Sequence, residues 1–179
     1  KNATILHYTS HGGLLKIGDL AVVDIGAEYG MYAADLTRTY PVSGKFTPRQ
    51  REVYQAVLDT QAHIESLARP GMYLRNEKQP ELSLHHLALK YLEARGMAKY
   101  FCHGIGHHLG LEVHDVGDMQ VPLLQGNVFT IEPGIYIPGE NLGVRIEDNF
   151  VMAEDGAVCL SFELPKSASE IERMMADKG

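Results

Sequence analysis

The amino-acid sequence predicts an α+β domain with a mainly antiparallel sheet. Apolar, β-branched segments follow one another in pairs across short turns, and only three segments have the spacing of helices. Strand–turn–strand units therefore outnumber strand–helix–strand units, which is typical of α+β rather than α/β folds. With 179 residues and 45% hydrophobic content, the chain can form one domain with a sizeable core.

The first hairpin is predicted within LAVVDIGAEYGMYAADLTRTYPV, with a two-residue turn at Tyr29-Gly30. A helix should follow from Thr47, which is a suitable N-cap. Pro48 occupies the first helical position, and Gln50 completes a capping box. Apolar residues then recur at helical spacing until Arg69-Pro70-Gly71, where we expect the helix to end.

The sequence after Gly71 predicts one further hairpin and two further helices. A helix is expected from about Pro80 to Arg95, with Gly96 as its stop, and extended chain from residues 100 to 116. NVFTIEPGIYI and LGVRIEDNFVM should pair across the loop at 138–141, and AVCLSF is a short last strand. Ser167 and Glu170 form a second capping box, which predicts a C-terminal helix.

Composition excludes several classes of protein. The net charge of −7 argues against nucleic acid as a partner, because phosphate binding requires a basic surface. No apolar run reaches membrane-spanning length, so no membrane association is expected. Two cysteines are too few for a disulfide framework, which favours a cytoplasmic location. The chain starts without Met, and residues 1–5 predict a strand from the first residue, so we interpret it as part of a longer protein.

Pairs of carboxylates are predicted to face each other in both hairpins. A turn at Tyr29-Gly30 sets Asp24 opposite Asp35, and a turn centred on Gly139-Glu140 sets Glu132 opposite Glu147. Opposed Cβ atoms lie ~5 Å apart, and facing like charges destabilise a sheet unless a positive charge compensates them. Each acid on its own fits an exposed surface position. Two such pairs in apolar strands instead favour a site that binds cations.

The stretch HGIGHHLGLEVHDVG, residues 103 to 117, contains four histidines in twelve positions. It is not the helical zinc motif, because the glutamate of H-E-x-x-H is missing and glycines replace helix formers. Four carboxylates and one imidazole would form a hard, oxygen-rich site. Such a site suits two divalent ions, with Mn²⁺ favoured and Co²⁺, Fe²⁺ or Zn²⁺ as alternatives. The residues alone therefore indicate a dinuclear hydrolase.

Five stretches carry a resemblance to a known family. They are ILHYTS, VVDIGAEYGMYAADLTRTYPVSGKF, HGIGHHLGLEVHDVG, TIEPGIYI and GVRIEDN, and they extend to about residue 150 in family order. The chain resembles the catalytic domain of the pita-bread metallopeptidases, nearest the Xaa-Pro aminopeptidases and their prolidase relatives. The resemblance implies a pita-bread fold, a curved antiparallel sheet with helices on its outer face. It also implies that the first-half helices and the family's N-terminal domain are absent from 1–179.

The resemblance also assigns roles to individual residues. It implies that two metal ions are bound by five ligands, Asp24, Asp35, His107, Glu132 and Glu147. Glu132 would also relay a proton, and His103 and His114 would line the pocket and stabilise the oxyanion. His7, Tyr136 and Arg145 would contact the substrate. His108 is interpreted as a packing or surface residue, His11 as loop, and His63, His85 and His86 as helical residues without a role.

The implied reaction is hydrolysis of the N-terminal Xaa-Pro bond by a metal-bridging hydroxide, in a peptide with proline in second position. Prolidase, which accepts only dipeptides, is the alternative, but the short segment between Glu132 and Glu147 favours the aminopeptidase. A pita-bread binding module that has lost its metal is a third interpretation. All five ligand positions are present, which disfavours it. Family likeness also implies a homo-oligomer in the full-length form.

Overall fold

The computed structural model describes residues 2–8, 10 and 12–176, so His11 lies outside the described residues. These residues form nine strands and three α-helices. The strand predicted at residues 1–5 is wrong, because Asn2–Thr4 form a 3₁₀ turn. The strands are β1 (Leu20–Ile25), β2 (Glu28–Tyr29), β3 (Tyr32–Ala33), β4 (Leu36–Pro41), β5 (Val128–Ile131), β6 (Gly134–Ile137), β7 (Leu142–Arg145), β8 (Asp148–Met152) and β9 (Ala157–Cys159). The helices are α1 (Pro48–Leu67), α2 (Leu84–Glu93) and α3 (Ala168–Ala176).

The pairing of the described strands is antiparallel throughout, which confirms the predicted α+β class. Four short sheets result, namely β1–β4, β2–β3, β5–β8–β9 and β6–β7. An antiparallel bridge between Thr37 and Glu147 joins the first hairpin to the second. The segment around His108 runs along β5 through a bridge to Phe129, so the extended chain predicted at 100–116 is realised in part.

The first hairpin turns at Gly30-Met31, so the predicted turn at Tyr29-Gly30 is wrong. Tyr29 pairs with Tyr32, and Asp24 pairs with Thr37 rather than with Asp35. Gly30 and Met31 both have positive φ, 58° and 67°, as the tight turn of a two-residue hairpin requires. The register is displaced by two residues, and strand side chains alternate with period two. Asp24 and Asp35 therefore still project from the same face of the hairpin.

The second hairpin has the predicted register. Ile137 pairs with Leu142 across the turn, and the same register continues through Gly134–Arg145 to Ile131–Asp148. The chain breaks from strand geometry between β5 and β6 and again between β7 and β8. Glu132 and Glu147 lie at these two breaks, which face each other across the ladder.

Helix α1 covers one side of the strands. Thr47 forms the predicted capping box with Gln50, and the buried face of the helix contacts β5, β6, β7 and β9. Helix α2 packs on α1 but begins at Leu84, after an N-cap at Ser83 and a short 3₁₀ turn at Pro80–Leu82. The predicted start at Pro80 is therefore wrong, because Ser83 caps the α-helix three residues later.

The core lies between α1, α2 and the strands of the second hairpin. Tyr54, Phe129 and Phe150 are its largest fully buried side chains. Among the described residues, no helix is long and apolar enough to cross a membrane.

Candidate metal centre

The predicted ligands converge because the ladders break at their positions. Asp35 lies between β3 and β4, and Glu132 and Glu147 lie at the two breaks of the second hairpin. His107 reaches the same point from the segment beside β5, where its backbone N–H donates to Thr130 Oγ1 at 3.2 Å. Side-chain donor atoms lie within 4.8 Å of one another in each of three groups, Asp24–Asp35–Glu147, His107–Glu132–Glu147 and Asp35–His107–His114.

His107 presents one ring nitrogen to three carboxylates. Its Nδ1–H donates to the His108 carbonyl at 2.9 Å, which leaves Nε2 facing the carboxylates of the site. Nε2 lies 3.4 Å from Asp35 Oδ2, 3.7 Å from Glu132 Oε1 and 3.8 Å from Glu147 Oε1. A backbone acceptor that orients the second nitrogen is typical of metal-binding histidines.

Gly106 allows the segment that carries His107 to lie close beside β5. A Cβ atom on Gly106 would lie 1.9 Å from the Thr130 carbonyl oxygen, so no other residue fits beside β5 at this point. The glycine preceding His107 is therefore required by its position in the site.

Asp24 is held by a buried hydrogen-bonded chain. Arg145 Nη2 donates to Asp24 Oδ2 at 2.7 Å, and Arg145 Nη1 donates to the Tyr136 hydroxyl at 2.9 Å. The Tyr136 hydroxyl lies 3.0 Å from His103 Nε2. Because His103 Nδ1–H donates to the Gly104 carbonyl at 2.8 Å, Nε2 is the acceptor and Tyr136 the donor. Gly134 leaves room for this pair, since a Cβ there would lie 2.7 Å from His103 Nε2.

The pKa values show the crowding of negative charge. Burial, helped by the charge of Glu147, raises the pKa of Glu132 to about 8. Burial and the neighbouring Asp35 raise the pKa of Asp24 to about 6. Burial alone would lower the pKa of His107, but the neighbouring carboxylates of Asp35 and Glu147 outweigh burial and raise it to about 10. The cluster therefore favours additional positive charge.

Glu147 gives a direct test of whether a cation fits. The residue is 1% exposed, and its Oε2 accepts from Thr37 Oγ1 at 2.7 Å. Its Oε1 is buried without a hydrogen-bond partner among the described residues. A buried carboxylate oxygen without a donor is costly, and a divalent ion would satisfy it. The oxygen-rich donor set fits hard divalent ions.

The ligands lie in a cleft of about 570 Å³ that also contains most other predicted site residues. His7 and His114 line this cleft with His103 and Arg145. The His114 ring contacts the His107 ring edge-on, with centroids 4.4 Å apart. Tyr136 reaches the site from behind, through Arg145 and His103. The His108 ring packs against Gly117 at the edge of the cleft, which agrees with its predicted packing role.

Sequence reasoning missed the residues that hold the ligands from behind. Thr37, which is fully buried, donates to Glu147 and accepts from Arg145 Nε at 3.1 Å. Strand alternation gave a signal for it, because Thr37 lies two residues after Asp35. Arg38 and Asp148 form a buried ion pair of 2.7 Å beside Glu147. A charged residue inside an apolar strand was the available signal for that pair.

Comparison with known proteins identifies the family. The model of metallopeptidase family M24 matches residues 1–154. The chain belongs to this family. Among curated proteins, this M24 domain is 40% identical to a Haemophilus influenzae Xaa-Pro aminopeptidase, covering 97% of the chain and 46% of the relative. It is also 40% identical to human Xaa-Pro aminopeptidase 3, covering 94% of the chain and 38% of the relative.

Solved structures show that the M24 domain has the pita-bread fold of aminopeptidase P. A zinc-substituted Escherichia coli aminopeptidase P in complex with product matches with a TM-score of 0.83 and 36% identity, over 97% of this chain and 45% of that one. Proline aminopeptidase P II from Yersinia pestis matches with the same TM-score of 0.83 and 37% identity, over 98% of this chain and 46% of that one. The chain thus spans less than half the length of these relatives.

Proposed function

We propose that this M24 domain hydrolyses the N-terminal Xaa-Pro bond of peptides, as the names of its relatives indicate for them. The observation that carries the proposal is the convergence of Asp24, Asp35, His107, Glu132 and Glu147 on one cleft, with a buried Glu147 oxygen lacking a donor. Because the chain is less than half of the matched relatives, the activity of the whole protein is part of the proposal.

We infer two ion positions from the shared ligands. Asp24 lies with Asp35 and Glu147 on one side, and His107 lies with Glu132 and Glu147 on the other. Glu147 belongs to both groups and would therefore help to hold both ions. Four carboxylates balance the charge of two dications, and their oxygen atoms favour Mn²⁺ over softer ions. Bound ions would supply an activated water nucleophile and positive charge for the developing oxyanion.

The side chains of the domain account for proton transfer and orientation. Glu132 faces His107 and lies 3.9 Å from His103, where it can accept a proton and deliver it to the leaving imino nitrogen. His114 is exposed beside His107 and can donate to the carbonyl oxygen of the substrate. Both nitrogens of His103 already have partners, so a substrate oxygen would have to replace Gly104 or Tyr136. His7 contacts the substrate from the wall of the cleft.

The test is peptide cleavage by the Mn²⁺-loaded protein, followed by mass spectrometry on Ala-Pro-Ala and Ala-Pro. Release of Ala from the tripeptide is the expected result, and Asp24→Asn should abolish it. Asp19→Asn is the matched control, because Asp19 is half-buried and, among the described residues, its side chain accepts only the nearby backbone N–H of Lys16. Cleavage of Ala-Pro alone would identify a dipeptidase instead. No cleavage by the metal-bound protein would contradict the proposed substrate class.

Two wider expectations accompany this proposal. A cytoplasmic location and a homo-oligomeric full-length form remain predictions, which fractionation and light scattering of the native protein would check.

A further inference from the structure

Helix α1 places one polar side chain behind the two glutamates of the proposed centre. Gln61 is fully buried among apolar residues of the helix. Its Nε2 donates to the carbonyl oxygen of Ile131 at 3.0 Å and, over a longer 3.5 Å, to that of Ile146. These are the residues that immediately precede Glu132 and Glu147. One amide group therefore contacts the backbone at both breaks of the second hairpin.

Pro133 explains why a donor is needed there. The register of the hairpin sets Pro133 opposite Ile146, and the Ile146 N–H donates to the Pro133 carbonyl over 3.4 Å. Proline has no N–H, so it cannot return a ladder hydrogen bond to the Ile146 carbonyl. Buried carbonyl groups without a donor are costly, and Gln61 supplies an N–H from another element.

The other end of the Gln61 side chain is also fixed. Lys166 Nζ donates to Gln61 Oε1 at 3.1 Å and to Asp148 Oδ2 at 3.0 Å. Asp148 is fully buried and directly follows Glu147. Lys166 lies beyond residue 154, where the match to the family model ends. The segment before α3 thus orients the amide that contacts both breaks.

We propose that Gln61 is a positioning residue for Glu132 and Glu147. It replaces the ladder donor that Pro133 removes and so fixes the direction in which both carboxylates leave the backbone. This inference rests on the proposed metal centre, since its effect is on the geometry of two of the ligands. Loss of groups that orient metal ligands typically weakens metal binding 10–100-fold.

The experiment is calorimetric titration of the metal-free protein with Mn²⁺. Gln61→Met keeps the length of the side chain and removes both hydrogen-bonding ends, so the Mn²⁺ Kd should rise by about 10-fold or more. Gln55→Met is the matched control on the same helix, because Gln55 is exposed and its side chain bonds only Asp59 among the described residues. Its Kd should not change. A folded Gln61→Met protein with the wild-type Kd would overturn the proposal.

Two further variants keep the test decisive. If Gln61→Met does not fold, Gln61→Glu removes the N–H donors at constant size and keeps an oxygen for Lys166, and an unchanged Kd would again overturn the proposal. Adding Pro133→Ala to Gln61→Met restores an N–H opposite Ile146 and should recover part of the affinity. A purely structural role for Gln61 predicts no such recovery.

The titration separates this inference from the proposed reaction. Weaker Mn²⁺ binding by Gln61→Met supports the positioning role even if the wild-type protein cleaves no Xaa-Pro peptide. Conversely, peptide cleavage with equal Kd values would leave the reaction standing and refute the role of Gln61. A wild-type protein that binds no Mn²⁺ would refute both.

Discussion

Thr37 connects the ligands that face the cleft to the residues that hold them. Its hydroxyl donates to Glu147 Oε2 and accepts from Arg145 Nε, and Arg145 in turn contacts Asp24. The buried Thr37 hydroxyl thereby connects Glu147 of the second hairpin, through Arg145, to Asp24 of the first hairpin. The contact with Thr37 sets the orientation of Glu147. It fixes Oε2 and leaves Oε1 without a donor among the described residues.

Thr37→Val should weaken both metal binding and the fold. The substitution keeps the shape of the side chain but leaves Glu147 Oε2 and Arg145 Nε without their partner, at a cost of ~1–3 kcal/mol in the free energy of unfolding. We expect the Mn²⁺ Kd to rise about 10-fold or more. Thr60→Val is the matched control, since Thr60 is equally buried but, within the part of the chain that the structure describes, its hydroxyl bonds only the Ala56 carbonyl of its own helix. Equal Kd values for the two variants would contradict this role.

At the scale of elements, helix α2 is docked through a buried histidine. His85 is 6% exposed, it contacts the Phe101 ring, and its Nδ1 has no hydrogen-bond partner among the described residues. Burial lowers the pKa of His85 to about 4, from 6.5 for an unperturbed histidine. The neutral form is therefore the one that packs in the fold.

The docking of α2 should consequently be sensitive to acid. The folded state binds the His85 proton less tightly than the unfolded chain, so stability is lost as the pH falls from about 6.5 toward 4. The loss attributable to His85 is up to about 3 kcal/mol. Urea unfolding at pH 7.5 and pH 4.5 should show a smaller difference for His85→Leu than for the wild type. Equal pH dependence in the two proteins would disprove the assignment.

The first turn carries strain that one substitution should relieve. Met31 has φ of 67°, a left-handed conformation that costs side chains energy, and it is 66% exposed. Met31→Gly should therefore raise the free energy of unfolding by about 1 kcal/mol with little loss of packing. Met174→Gly, at a 48% exposed position within α3, should instead lower it by about 1 kcal/mol. Thermal unfolding distinguishes the two signs, and a destabilised Met31→Gly protein would contradict the account.

Across the whole chain, the features most predictable from the sequence were those that depend on neighbouring residues. The capping boxes at Thr47 and Ser167 form where they were predicted, because each consists of contacts within one turn. The first turn was misplaced because the prediction put Gly30 second in the turn, whereas it occupies the first position, followed by Met31. The two-residue period of the strands still brought Asp24 and Asp35 to one face.

Contacts that depend on how elements dock could not be predicted in the same way. Gln61 occupies a position in the apolar stripe of α1, which marks it as buried but does not show what it contacts. Its contacts with Ile131 and Ile146 depend on the docking of α1 against the second hairpin. Lys166 reaches Gln61 across 105 residues of sequence, so no local pattern could reveal that contact.

Anomalous scattering from crystals soaked in Mn²⁺ would show how many ions bind in the cleft and where they lie. We expect two anomalous peaks, one beside Asp24 and one beside His107, with Glu147 between them. A single peak, or ions bound without Glu147, would contradict the dinuclear centre on which the proposed reaction depends.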